Sequence, residues 1–130
     1  MDTSYKDDKV SEKIIAAAIE VHRHLGPGLL ESVYARCLAL ELDVTGLEYE
    51  SQVELPVIYK GRNIHAGFRL DFLIEGYVVE TKAVAKLLPI HEAQLITYLK
   101  LARHQTGLLV NFNVPVLAQG IRRITLFAPP

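Results

Sequence analysis

The chain has one cysteine, one methionine and no tryptophan in 130 residues. A lone Cys37 excludes an internal disulfide, and no His or Cys lies around it at zinc-ligand spacing. No glycine-rich phosphate loop is present, and no Ser, His and Asp stand together as a hydrolytic triad. No apolar run reaches membrane-spanning length, so no membrane contact is expected. An excess of one charge is lacking too: 14 Lys/Arg against 15 Asp/Glu give a net charge of −1, which does not announce a nucleic-acid partner. Met1 to Lys9 is polar and carries no secretory pattern. The setting expected from these absences is a reducing cytoplasm.

What is there is an ordinary globular balance, half hydrophobic and 22% charged. The length suits one domain with a real core, expected over residues 10–130 behind a loose tail, residues 1–9. The charge is uneven. Residues 1–59 hold 5 Lys/Arg against 11 Asp/Glu, whereas residues 60–130 hold 9 against 4. The second half can present a basic face to phosphates, although a solvated mixed surface accounts for the charge equally well.

Hydrophobic period divides the chain into elements. Ser11 is placed to cap a first helix, with Glu12 in its first turn. Val10, Ile14, Ala17, Ala18, Val21 and Leu25 recur at helical spacing up to the breaker Gly26-Pro27-Gly28. A second helix follows, with Leu30, Val33, Tyr34, Cys37, Leu38 and Leu42 on one face. From Leu47 to Tyr59 the period changes to two, a strand in which Pro56 suits an edge or a bulge. Lys60 to Asn63 reads as a turn, Ile64 to Ile74 as the second strand and Tyr77 to Lys82 as the third. Pro89 opens a third helix running to about Arg103. Gly107 to Phe112 reads as a buried strand and Ile121 to Phe127 as the last. The order predicts a mixed sheet: a three-strand meander, a helical crossover and further strands, flanked by helices.

The most informative stretch is Arg69-Leu-Asp-Phe-Leu-Ile-Glu-Gly-Tyr-Val-Val-Glu-Thr-Lys82. Glu75-Gly76 is a two-residue turn signal. Counting outward from it sets Ile74 against Tyr77, Leu73 against Val78, Phe72 against Val79 and Asp71 against Glu80, with Lys82 on the Glu80 side. Two carboxylates about 4.5–5.5 Å apart at Cβ repel unless something offsets them. A divalent cation does so, and Mg²⁺ commonly takes one or two carboxylates, with water and phosphate completing its shell. Lys82 can then position or deprotonate a water, or neutralise charge on a phosphate. The plain alternative is a surface cluster in which Lys82 salt-bridges Glu80.

Three further candidates lie on helices. Glu31 sits in the first turn of the second helix and borders its apolar face; it is either a site acid or only a complement to the helix dipole. Gln94 and Tyr98 are four apart on the third helix with His91 on the same stripe, which either faces a site or faces solvent.

Together these residues resemble a known family, the small GxxExxY proteins of the PD-(D/E)xK nuclease superfamily. The name-giving motif stands as Gly28-Leu-Leu-Glu31-Ser-Val-Tyr34, preceded by Val21-His-Arg-His-Leu-Gly-Pro27. Asp71 followed by Glu80-Thr-Lys82 matches the catalytic string, and Gln94-Leu-Ile-Thr-Tyr98 the accessory motif. The run Gly107 to Phe112 is shared as well, so the likeness spans about residues 10–127.

The resemblance implies a restriction-endonuclease-like α/β fold, a mixed sheet flanked by helices. It implies Asp71 and Glu80 as metal-binding acids, the Thr81 carbonyl as a further ligand, and Lys82 as the catalytic lysine. Glu31 is implied as the extra helical acid of the RecB-like and exonuclease-like branches, catalytic and metal-binding. Gln94 and Tyr98 are implied beside the active site. The expected activity is Mg²⁺- or Mn²⁺-dependent hydrolysis of phosphodiester bonds in nucleic acid, DNA before RNA, by a homodimer or within a larger complex. The alternatives are a nucleic-acid-binding module that does not cut and a protein-binding domain that keeps only the fold.

Overall fold

A computed structural model describes residues 8–127. Residues 1–7, most of the expected tail, lie outside the described residues. Helix α1 (Asp8–Leu25) begins before Ser11, which is therefore an interior helical residue and not a cap. Ser11 is buried, and its Oγ accepts a hydrogen bond of 2.6 Å from Arg123. The Gly26-Pro-Gly28 breaker separates α1 from α2 (Glu31–Thr45), which ends on Gly46 in the left-handed conformation.

The strand read from Leu47 to Tyr59 is divided, the one read from Ile64 to Ile74 is shortened, and Arg62–Asn63, read as part of a turn, is a strand. β1 (Tyr49–Glu54) stops before Leu55-Pro56, and β2 (Ile58–Tyr59) pairs instead with β3 (Arg62–Asn63) in a separate two-stranded ribbon. Ile64 to Phe68 returns without strand structure to β4 (Arg69–Ile74). Pro56 has no N–H to give a ladder. The Leu55 N–H beside it reaches the Phe68 carbonyl at 2.8 Å and closes the base of the ribbon.

The remaining elements are β5 (Tyr77–Lys82), α3 (Pro89–Ala102), β6 (Thr106–Asn111), a 3₁₀ turn (Leu117–Gly120) and β7 (Ile121–Thr125). They form a five-stranded sheet in the order β1-β4-β5-β6-β7. β5 and β6 run parallel around the α3 crossover, and the other neighbours are antiparallel. The expected α/β architecture, a mixed sheet flanked by helices, is the one observed. No helix among the described residues is long and apolar enough to cross a membrane.

Side-chain alternation sorts the core into two layers. Tyr77, Val79, Leu108, Val110 and Phe112 meet α1 and α2 on one face. Val78 and Leu109 meet Leu95, Tyr98 and Leu99 of α3 on the other. β5 and β6 are thus apolar on both faces, as central strands must be. β4 departs from this rule. Phe72 and Ile74 face α1 and α2, but Leu70, of the same parity, faces α3. β1 switches likewise between Tyr49 and Val53, and Gln52 between them has φ +54°. The two strands pair at Ser51–Phe72 and again at Val53–Leu70. The change of face therefore falls at Gln52 and Asp71, between two intact pairs.

Candidate active site

The Glu75-Gly76 turn has φ of +43° and +90°, the paired left-handed geometry of a two-residue hairpin. It sets the register expected from the sequence as far as Phe72–Val79. There the β4–β5 ladder ends, and Asp71 and Glu80 are not joined as a simple cross-strand pair. Each carboxylate instead takes the backbone of the other's strand. Glu80 Oε1 accepts the Asp71 N–H at 2.9 Å. Asp71 Oδ2 accepts the Thr81 N–H at 2.9 Å and the Thr81 hydroxyl at 2.7 Å. The kink at Asp71 opens the ladder, and the two acids close the gap with side-chain bonds. Each commits one oxygen to the backbone, which leaves its second oxygen as the candidate ligand.

Glu80 is 5% exposed. Burial first, then the negative charge of Asp71, pushes its carboxyl up to about 8; the Asp71 N–H and the Lys82 ammonium act in the opposite direction. Lys82 is the last residue of β5, and its Nζ donates to Gln94 Oε1 at 3.3 Å. Among the described residues the ion pairs are those of Glu20 with Arg23 and His24, so the surface salt bridge between Lys82 and Glu80 does not form. Tyr98 is buried beneath the same end of the sheet. Its phenol is held above the usual range by burial first, then by the charges of Glu80 and Asp71. The Gln94–Tyr98 stripe therefore faces the acids, as the sequence allowed, and not open solvent.

Glu31 opens α2. Its carboxyl is raised first by loss of hydration and then by Asp71, while Lys82 and His91 lower it. It lies within electrostatic reach of the pair without joining it: among the described residues no three His, Cys, Asp or Glu side chains gather as a metal-binding group. His91 has a local task, since its Nδ1 accepts the Leu88 N–H at 2.9 Å at the start of α3.

Two residues that frame the site were read only as members of motifs. Tyr34 is fully buried and stacks on Phe112, with centroids 4.6 Å apart and planes at 6°. Its hydroxyl donates to the Gly26 carbonyl at 2.6 Å and accepts the Leu29 N–H at 3.1 Å. The glycine–proline breaker is thereby pinned to the helix that it precedes, which fixes where Glu31 starts. Asn111 is buried at the end of β6. Its Oδ1 accepts the Val84 N–H at 3.0 Å and its Nδ2 donates to the Val84 carbonyl at 2.9 Å. This ties down the segment that follows Lys82. A polar residue inside the apolar run Gly107 to Phe112 is the signal that could have found it.

Two carboxylates with oxygens to share, Glu80 buried and Asp71 half-buried, form a hard-oxygen donor set, with an ammonium and a phenol nearby. Such a set fits a divalent cation better than a soft metal. The raised Glu80 carboxyl fits as well, because a bound cation would offset both the lost hydration and the Asp71 charge that raise it.

No curated protein and no solved structure matches the chain. The family model described as the PD-(D/E)XK nuclease superfamily matches residues 8–124, which takes in all three helices, the sheet but for its last residue Thr125, and the residues just described. Proteins of this kind are nucleases in general and typically use divalent metals. On that match, nearly as long as the described chain, the protein belongs to the PD-(D/E)XK nuclease superfamily.

Proposed function

We propose that the chain is a Mg²⁺- or Mn²⁺-dependent nuclease that hydrolyses phosphodiester bonds in DNA rather than RNA. One observation carries this reading: Asp71 and Glu80 are each locked to the backbone of the other's strand, with Lys82 held by Gln94 beside them. Asp71 and Glu80 would hold the metal through their remaining oxygens, helped by the Thr81 carbonyl. When bound, the metal supplies an activated water and a counter-charge for the phosphate. Lys82 places its ammonium where charge develops on the phosphate, and Gln94 keeps it there. Glu31 would add a third acid to the site from the start of the neighbouring helix. Tyr98 walls the site against bulk water. Within the superfamily we assign the chain to the GxxExxY group, supported by the pinning of the Gly26–Gly28 segment by Tyr34.

The test is cleavage of single-stranded and duplex DNA and of RNA with Mn²⁺ or Mg²⁺. Asp71→Asn and Lys82→Ala, purified in parallel, should each cut at least about 100-fold more slowly, the scale of losing one electrostatic contact to the transition state. Undiminished cleavage by Asp71→Asn rules the proposal out. A second reading, a binding module that keeps the fold without cutting, is favoured by the gathering of two acids and not three among the described residues. It predicts salt-dependent binding with no cleavage by the unaltered chain.

A further inference from the structure

Between Pro56 and Leu70 the chain carries no acidic residue, although the protein as a whole has more acids than bases. This stretch holds Lys60, Arg62 and Arg69 together with His65. It is the β2–β3 ribbon and its return, and it leads directly into Asp71. None of its three cations forms an ion pair among the described residues. The ribbon also shows apolar surface that the core does not use: Ile58 is 59% exposed and Tyr59 is 61% exposed. The Lys60 ammonium lies 5.5 Å from the Tyr59 ring centre, so cation and aromatic form one patch.

The base of the ribbon is rooted at the candidate site. Leu55 and Phe68 are joined by a backbone bond of 2.8 Å. Leu55 packs in the α3-side core with Leu70 and Tyr98. The Phe68 ring lies 6.1 Å from that of Tyr98, whose phenol senses Glu80 and Asp71. Lys60 and Gly61 form its tip, both at positive φ, +47° and +79°. The tip is a tight turn that presents the patch on a short stem.

Resting on the nuclease reading, we infer that the β2–β3 ribbon is the substrate grip, and that it takes an unpaired nucleic-acid segment. Lys60 and Arg62 meet the phosphates, and Tyr59 offers its face to a base. Unpaired bases expose the faces that an aromatic platform needs, whereas a duplex buries them in its stack. A grip that only follows a duplex backbone would serve with phosphate-binding groups alone.

The test is fluorescence anisotropy with a single-stranded oligodeoxynucleotide and with the same sequence as a blunt duplex. The protein is a Lys82→Ala background with Mn²⁺, in which binding is read without cleavage. Tyr59→Ala should weaken single-strand binding about tenfold, within the range for one base–aromatic stack. Lys60→Ala/Arg62→Ala should lower the slope of log affinity against log salt by about 1.4, the release expected from two single-strand phosphates. Equal affinities and slopes in all variants overturn the inference, as does tighter binding of the duplex than of the single strand. A background protein that binds no oligonucleotide also overturns it, whereas the nuclease reading is decided separately, by cleavage with the unaltered chain. Melting of each variant at the temperature of its parent confirms that exposed positions alone were changed.

Discussion

At the scale of single residues, Asp71 does two jobs that different substitutions separate. Its Oδ2 satisfies both the N–H and the hydroxyl of buried Thr81. Asp71→Ala leaves both donors without that acceptor, at a cost of about 1–3 kcal/mol. Asp71→Asn keeps an oxygen in place. In urea denaturation the alanine variant should therefore unfold at lower concentration than the asparagine variant, although both lose the candidate ligand; equal midpoints contradict the bonding described. Glu80 gives a pH signature. It holds its proton to about 8 in the folded chain, against 4.5 for a free glutamate side chain. Between those values the folded state binds more protons than the unfolded one, so stability is greatest at the acid end and falls as pH rises. In metal-free buffer this slope approaches about 1.4 kcal/mol per pH unit, and Glu80→Gln should remove it. Parallel profiles for the two proteins would mean that the carboxyl is not perturbed.

At the scale of elements, the site depends on how helices and strands are held apart. An added Cβ at Gly120 would lie 2.1 Å from the backbone oxygen of Asn111. No side-chain rotation relieves a clash with backbone, so Gly120→Ala should destabilise the fold by about 3 kcal/mol or more. It should also disturb the Asn111 clamp on Val84, and a melting curve close to that of the unaltered chain would count against this packing. Tyr34→Phe keeps the stack on Phe112 and removes only the hydroxyl that ties Gly26 to Leu29. It should cost about 1 kcal/mol in stability. If Glu31 matters through its placement, cleavage should fall further than this small loss explains.

The helices and central strands were legible because their hydrophobic periods are strong and their breakers explicit. The hairpin register was legible because Glu75-Gly76 allows one turn length. The break at Gln52 and Asp71 was not, since an alternating pattern does not reveal where two paired strands change face together. The β2–β3 ribbon was hidden for a related reason. Val57 and Tyr59 continue the alternation of β1, and only the long-range bond between Leu55 and Phe68 shows that the strand has ended. Glu31, Gln94 and Tyr98 were visible as polar residues bordering apolar faces, but their convergence needs the crossover of α3 and the hinge before α2.

At the scale of the whole molecule, a chain of net charge −1 gathers Lys60, Arg62 and Arg69, with no acid among them, on the ribbon that leads to Asp71. Nucleic-acid binding should therefore weaken steeply with added salt despite the near-neutral total. The site itself sits at the carboxyl end of β5, where β4 leaves the ladder and the starts of α2 and α3 approach from opposite faces. Chemistry and fold meet in one claim, that the locked pair of Asp71 and Glu80 is built to receive a divalent cation. Calorimetric titration of Mn²⁺ tests it directly, at a pH above about 8 where Glu80 has lost its proton. The unaltered chain should bind Mn²⁺ at one site, and that binding should vanish in Asp71→Asn and in Glu80→Gln. Equal binding by all three proteins, or none by the unaltered chain, would contradict the account.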